Sequence, residues 1–192
     1  MDILFGFAPY IAFFVALKLI AVEPALWAAA CVALLITGWN WTRGASLKVL
    51  EIGSVVVFTA VAAFTSVEHW HWTLMGVRLA VDCGLLAIVL ASLAVDRPFT
   101  LQYARERVPE NVWNSPLFLS INRRITWVWA AAFAALVAAH AAVVFVPGTP
   151  VFLDIVVTVL ALLGAFRFTD RYPEVARSRA MAAADVKSDR KT

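Results

Sequence analysis

Charge is what this sequence has least of. Asp, Glu, Lys and Arg together make up 15% of its 192 residues, against about a quarter in soluble domains. That deficit excludes an ordinary water-soluble fold of this length. Cysteine is nearly as scarce: Cys31 and Cys83 both lie in apolar runs, which excludes a disulfide framework or a metal-ligand spacing and leaves small buried side chains. Phosphate-cradling glycine loops, Ser/His/Asp or Cys/His groupings and paired carboxylates placed for acid–base work are all missing. No enzyme activity, metal, cofactor or nucleic-acid partner is therefore expected. The first apolar run has no basic stretch ahead of it and no small-residue cleavage site behind it, so it reads as a retained span and not as a removed signal.

What is present is hydrophobic length. Apolar residues make up 62% of the chain, with a mean hydropathy of +0.82. A helix needs about 20 apolar residues to cross roughly 30 Å of hydrocarbon. Runs of that kind fall at about 3–22, 25–41, 47–65, 73–95, 125–146 and 151–168. They are continuous, without the period-two alternation of a barrel strand. The expected fold class is therefore all-α: a single polytopic domain over 1–168, with about six transmembrane helices. Glu23-Pro24 is the expected turn between the first two spans, the segment 96–124 is one sizeable loop, and 169–192 is a polar, mobile tail.

Basic residues orient the spans. Arg43, Lys48, Arg97, Arg105, Arg107, Arg123, Arg124, Arg167, Arg171, Arg177, Arg179, Lys187, Arg190 and Lys191 are 14 of the 16, and all fall on the second and fourth loops, the tail or the adjoining helix ends. The first, third and fifth loops hold none. Both termini are therefore expected on the cytoplasmic side. Seven of the eight tryptophans, Trp27, Trp39, Trp41, Trp70, Trp72, Trp127 and Trp129, sit near span ends, as an interfacial belt requires.

The long inner loop carries its own pattern. Pro98 suits a first helical turn, Phe99 and Tyr103 are spaced i,i+4, and Arg105, Glu106 and Arg107 follow. The spacing predicts a short amphipathic helix lying on the membrane surface against anionic headgroups. Phe99, Tyr103, Arg105, Arg107, Trp113, Arg123 and Arg124 then form a candidate surface for lipid or a partner protein.

Five ionisable residues fall within spans. At 1.5 Å per residue, Lys18, Arg78, Asp82, His140 and Asp154 all lie in the outer half of the membrane. Charges there are costly and ask for a reason. Lys18 and Arg78 are long enough to snorkel, Arg78 and Asp82 share a helix face at i,i+4, and Asp154 is close enough to the surface to be wet. Asp82 and His140 are too short to reach the interface, which leaves either a helix-to-helix polar contact or a proton relay or ligand site. His69-Trp70-His71 in the third loop reads as part of the aromatic belt, not as a metal site. Gly53, Gly76 and Gly84 permit close helix contacts.

Phe7-Ala-Pro9, Phe13-Phe14 and Lys18 resemble the start of the bacterial intracellular septation protein A family. Asp96-Arg-Pro98, Val112-Trp113, Asn122, Trp129-Ala130 and Tyr172-Pro173-Glu174 are similar to its later landmarks. The inner loop here is longer and more charged than that family's, and the fifth loop is only Pro147–Pro150. The resemblance implies a multi-pass protein of the bacterial cytoplasmic (inner) membrane, without catalytic activity. It would support cell-envelope and division-septum biogenesis as a scaffold in contact with other membrane proteins. From the residues alone, the alternative is a small transporter or proton-coupled carrier built on the outer-half polar cluster.

Overall fold

The computed structural model describes residues 6–44, 46–68 and 73–189, with side chains as far as residue 183. Among these residues there are seven α-helices and no strand. In chain order they are α1 (Ala8–Ala16), α2 (Val22–Thr42), α3 (Val49–Glu68), α4 (Leu74–Ala94), α5 (Phe99–Arg105), α6 (Pro116–Phe145) and α7 (Val151–Asp189), with a single 3-10 turn at Glu110–Val112. Five of them, α2, α3, α4, α6 and α7, are long and apolar enough to cross a membrane.

The helices pack in chain order, α1 on α2, α2 on α3 and α3 on α4; α6 then packs between α4 and α7, and α5 plugs against α4 and α6. The bundle has an apolar exterior, and its largely apolar core also holds polar groups. Asp82, His140, Asp154, Ser54, Asn122 and Thr126 are buried, while Leu35 is 72% and Leu160 64% exposed. Buried polar groups and a greasy exterior suit a hydrocarbon surround, in which apolar side chains gain nothing by hiding.

Several boundaries differ from the sequence pattern for identifiable reasons. The described part of α1 is nine residues, about 14 Å. Gly6, just before it, lies beside the Tyr103 hydroxyl and Leu50, and Phe14 within it lies under the Arg78 guanidinium. The turn after it falls at residues 17–21, not at Glu23-Pro24, which belong to the first turn of α2; proline is tolerated there because that N–H has no helical partner. Helix α6 starts nine residues earlier than expected, with Pro116 in its first turn and the Ser115 hydroxyl accepting the Phe118 N–H at 3.2 Å. The expected tail is instead a continuation of α7 through Pro173 to Asp189.

An aromatic cluster forms the centre. Phe7 stacks on Trp129 at 5.2 Å, and Tyr10 and Phe13 meet Phe58. Trp129 is fully buried and donates its indole N–H to Thr169 Oγ1 at 3.0 Å. It is a core residue and not the belt residue its position near a span end suggested. Trp39, Trp41 and Trp127 are exposed as a belt requires; Trp70 and Trp72, with His69 and His71, lie outside the described residues.

Gly53 and Gly84 seat α3 against α4 within one chain. A Cβ on Gly53 would come within 2.5 Å of Ile88, and one on Gly84 within 2.7 Å of Val57. Gly84→Leu is therefore expected to cost about 1–3 kcal/mol, measured as a lower unfolding midpoint in mixed micelles, with Val57→Ala restoring part of it. At the end of α4, Asp96 takes φ +52°, a left-handed conformation that glycine adopts without penalty. Its ion pair with Arg123 at 3.5 Å joins two side chains that are 60% or more exposed and contributes little. Asp96→Gly is expected to raise the same midpoint, by about 0.5–1 kcal/mol.

Candidate functional site: an imidazole between two carboxylates

Three helices each contribute one polar side chain to a single buried contact. Asp82 comes from α4, His140 from α6 and Asp154 from the first turn of α7. His140 Nδ1 lies 2.7 Å from Asp82 Oδ2 and 3.1 Å from the Leu136 carbonyl, while Nε2 lies 3.3 Å from Asp154 Oδ2. All three residues are at most 5% exposed. Asp154 is thus enclosed and not wet: α7 packs closely along α6, which turns its carboxylate inward.

The geometry fixes a proton count. A neutral imidazole has one N–H and one lone pair. Here both ring nitrogens face oxygen acceptors, so a lone pair on either would point at carboxylate or carbonyl oxygen. The contact is favourable only with one additional proton, carried by the imidazole or by one of the carboxyls. The Nδ1–H lies better in line with the Leu136 carbonyl than with Asp82, so the Asp82 contact is held by charge and proximity more than by a straight hydrogen bond. Among the described residues Asp82 Oδ2 and Asp154 Oδ1 remain buried without a well-aligned donor, and one helical turn away Arg78 Nε–H lacks an acceptor and Thr158 Oγ1 any partner. Orphaned polar atoms at this density are unusual in an interior.

The remaining intramembrane residues separate from the triad. Arg78 makes no ion pair within 4 Å among the described residues, and its guanidinium stacks over Phe14 at 5.0 Å. The i,i+4 pairing with Asp82 does not form. Lys18 is exposed and distinct from the triad. Asp82 and Asp154 address opposite nitrogens of one ring and so cannot converge on a common ion. Among the described residues no group of three or more His, Cys, Asp or Glu side chains is placed to hold a metal.

The basic end of the bundle holds a second polar cluster. Lys48, only 7% exposed, pairs with Glu106 at 3.1 Å and Glu51 at 3.9 Å, and its ammonium lies 4.9 Å over the Tyr103 ring. Asn40 donates to Glu51 at 2.9 Å, and Gln102 accepts the Val49 N–H at 2.8 Å. Burial, then the negative charges of Glu51 and Glu106, push the Tyr103 phenol well above its ordinary value, so it remains a neutral ring. Sequence reasoning counted Lys48 only for orientation and passed over Glu51. The available signal was a carboxylate one turn inside an apolar run, four residues from the loop.

Helix α5 corrects the expected surface. Phe99 and Tyr103 are buried, and the Thr100 hydroxyl bonds Asn122 and Thr126 in α6. An apolar stripe at helical spacing fits a protein groove as well as a lipid surface, and here the bundle end takes it. Arg105 lies over Trp113, whose indole donates to the Arg105 and Val108 carbonyls; Arg124 donates to the Tyr172 hydroxyl, and Arg107 and Arg123 are exposed. Only this basic part of the expected surface stays accessible. No protein-family model, curated protein or solved structure matches the chain.

Proposed function

We propose that this chain is a six-span protein of the cytoplasmic membrane with both termini inside, and that it works as a small proton-coupled carrier through the Asp82–His140–Asp154 triad. The observation that carries this reading is the imidazole bracketed by two buried carboxylates on three different helices. Taking up or releasing one proton changes how strongly α4, α6 and α7 hold one another, which is the coupling a carrier needs. The sixth crossing would be the apolar run at about 3–22, of which α1 is the described helical part, with Phe14 under the Arg78 guanidinium. The basic residues at the ends of α2, α3, α4 and α6 support the orientation.

Infrared difference spectra between acidic and alkaline pH test the site directly. A carboxyl or imidazole signal is expected in the wild type and is lost in Asp82→Asn and Asp154→Asn. In a strain lacking the protein, neither variant restores function at normal protein level. Full complementation by Asp82→Asn would remove the reading.

The basic end favours a second reading, the non-enzymatic scaffold of envelope and septum biogenesis that the family resemblance implies. The helical extension of α7 past Thr169 and the exposed guanidiniums beside it suit contact with other membrane proteins. Cross-linking from Arg179 followed by affinity purification is expected to recover a division or envelope-synthesis protein. Recovery of none counts heavily against this role.

A further inference from the structure

The geometry points to a bound-lipid site at the basic end: a cavity between α5, α6 and α7 that takes one acyl chain of an anionic phospholipid, with its phosphate at Arg107 and Arg177. The inference rests on the basic end facing lipid headgroups and is independent of the proton site. The cavity has a volume of about 210 Å³; an engineered apolar cavity of roughly 150 Å³ already accepts benzene. Val112, Phe118, Ile121 and Ile125 supply its walls, and Arg107 and Arg177 also line it.

Three of the polar residues along it are occupied elsewhere. Asn122 donates to the Phe118 carbonyl, Thr100 bonds across to α6, and Thr169 bonds Ala165 and Trp129. Apart from the Tyr103 hydroxyl, which has no hydrogen-bond partner among the described residues, the interior therefore offers mainly carbon, and charge stands only at the exposed Arg107 and Arg177. Arg177 makes no ion pair among the described residues. That division, an apolar slot with two cations and no carboxylate in its lining, complements a hydrocarbon chain ending in a phosphodiester. A soluble anion would use the guanidiniums and leave the slot unfilled.

The test uses the purified full-length chain supplied with phosphatidylglycerol, with phosphatidylcholine, or with inorganic phosphate alone. Bound lipid is counted by native mass spectrometry while thermal unfolding is followed in parallel. Phosphatidylglycerol is expected to be retained over phosphatidylcholine by about thirtyfold, the equivalent of about 1 kcal/mol per guanidinium. Arg107→Gln with Arg177→Gln should erase that preference, and Ala104→Phe, which fills the slot, should abolish retention of both lipids. Equal retention of the two lipids by the wild type overturns the proposal, and that comparison needs no variant to fold. A preference that survives the double substitution overturns it as well. So does phosphate alone, if it raises the unfolding temperature as much as phosphatidylglycerol does, since the site would then be one for a soluble anion.

Discussion

His140→Ala is expected to cost about 3–5 kcal/mol of stability, because it leaves two buried carboxyl groups facing each other with their shared partner removed. Unfolding in mixed micelles measures it. The penalty arises from the uncompensated charges and not from the lost imidazole volume, and a second variant separates the two. Replacing the whole triad with apolar residues of similar size (Asp82→Leu, His140→Phe, Asp154→Leu) is expected to return stability close to wild type or above it. The pH-dependent infrared signal and biological function stay absent in that variant. If the apolar triad is stable and also functional, the triad is a packing device only. If single and triple replacements cost the same, the charges are not what holds the helices.

Lys48→Ala carries the second large expected effect, about 3 kcal/mol. Lys48 is the cation of the basic-end cluster, and without it Glu51 keeps only the Asn40 amide as a partner, with its Oε2 already unpartnered. Glu51 is 3% exposed, so water cannot take over. Glu106, whose side chain is 36% exposed, turns outward and loses little. The expected signature is therefore asymmetric: Glu51→Gln rescues Lys48→Ala by more than half, whereas Glu106→Gln does not. Equal rescue by both would mean that the cluster is held by its exposed half.

How much of this could be read beforehand depends on which coordinate of a helix is in question. Hydropathy and basic charge gave depth along the membrane normal, and depth alone placed Asp82, His140 and Asp154 in one layer. Rotation about the helix axis was not legible. The membrane-spanning parts of α4, α6 and α7 are largely apolar on every side, so no moment marks the face that turns inward; depth alone leaves Asp154 looking wet and leaves Arg78 free either to snorkel or to pair with Asp82. The same ambiguity sent Phe99 and Tyr103 to the lipid surface, since one stripe fits either environment. Pro173 was read with the tail as the end of order. It lies where flanking residues hold the helix through, with Phe168 stacked on Tyr172 at 4.6 Å and Thr169 tied to Trp129 in α6.

Helix α7 has a mechanical consequence. Asp154 and Thr169 sit 15 residues apart on one uninterrupted stretch, about 22 Å of stiff rod, and Pro173 follows as its first compliant joint. One end of that rod is seated on His140; the other lines the cavity beside Arg177. A tilt of about 5° pivoting at Asp154 displaces Thr169 by about 2 Å, enough to open or pinch a slot one hydrocarbon chain wide. A change at His140 that tilts the rod about Asp154 would therefore reach the cavity as a displacement, with no chain of intermediary side chains required.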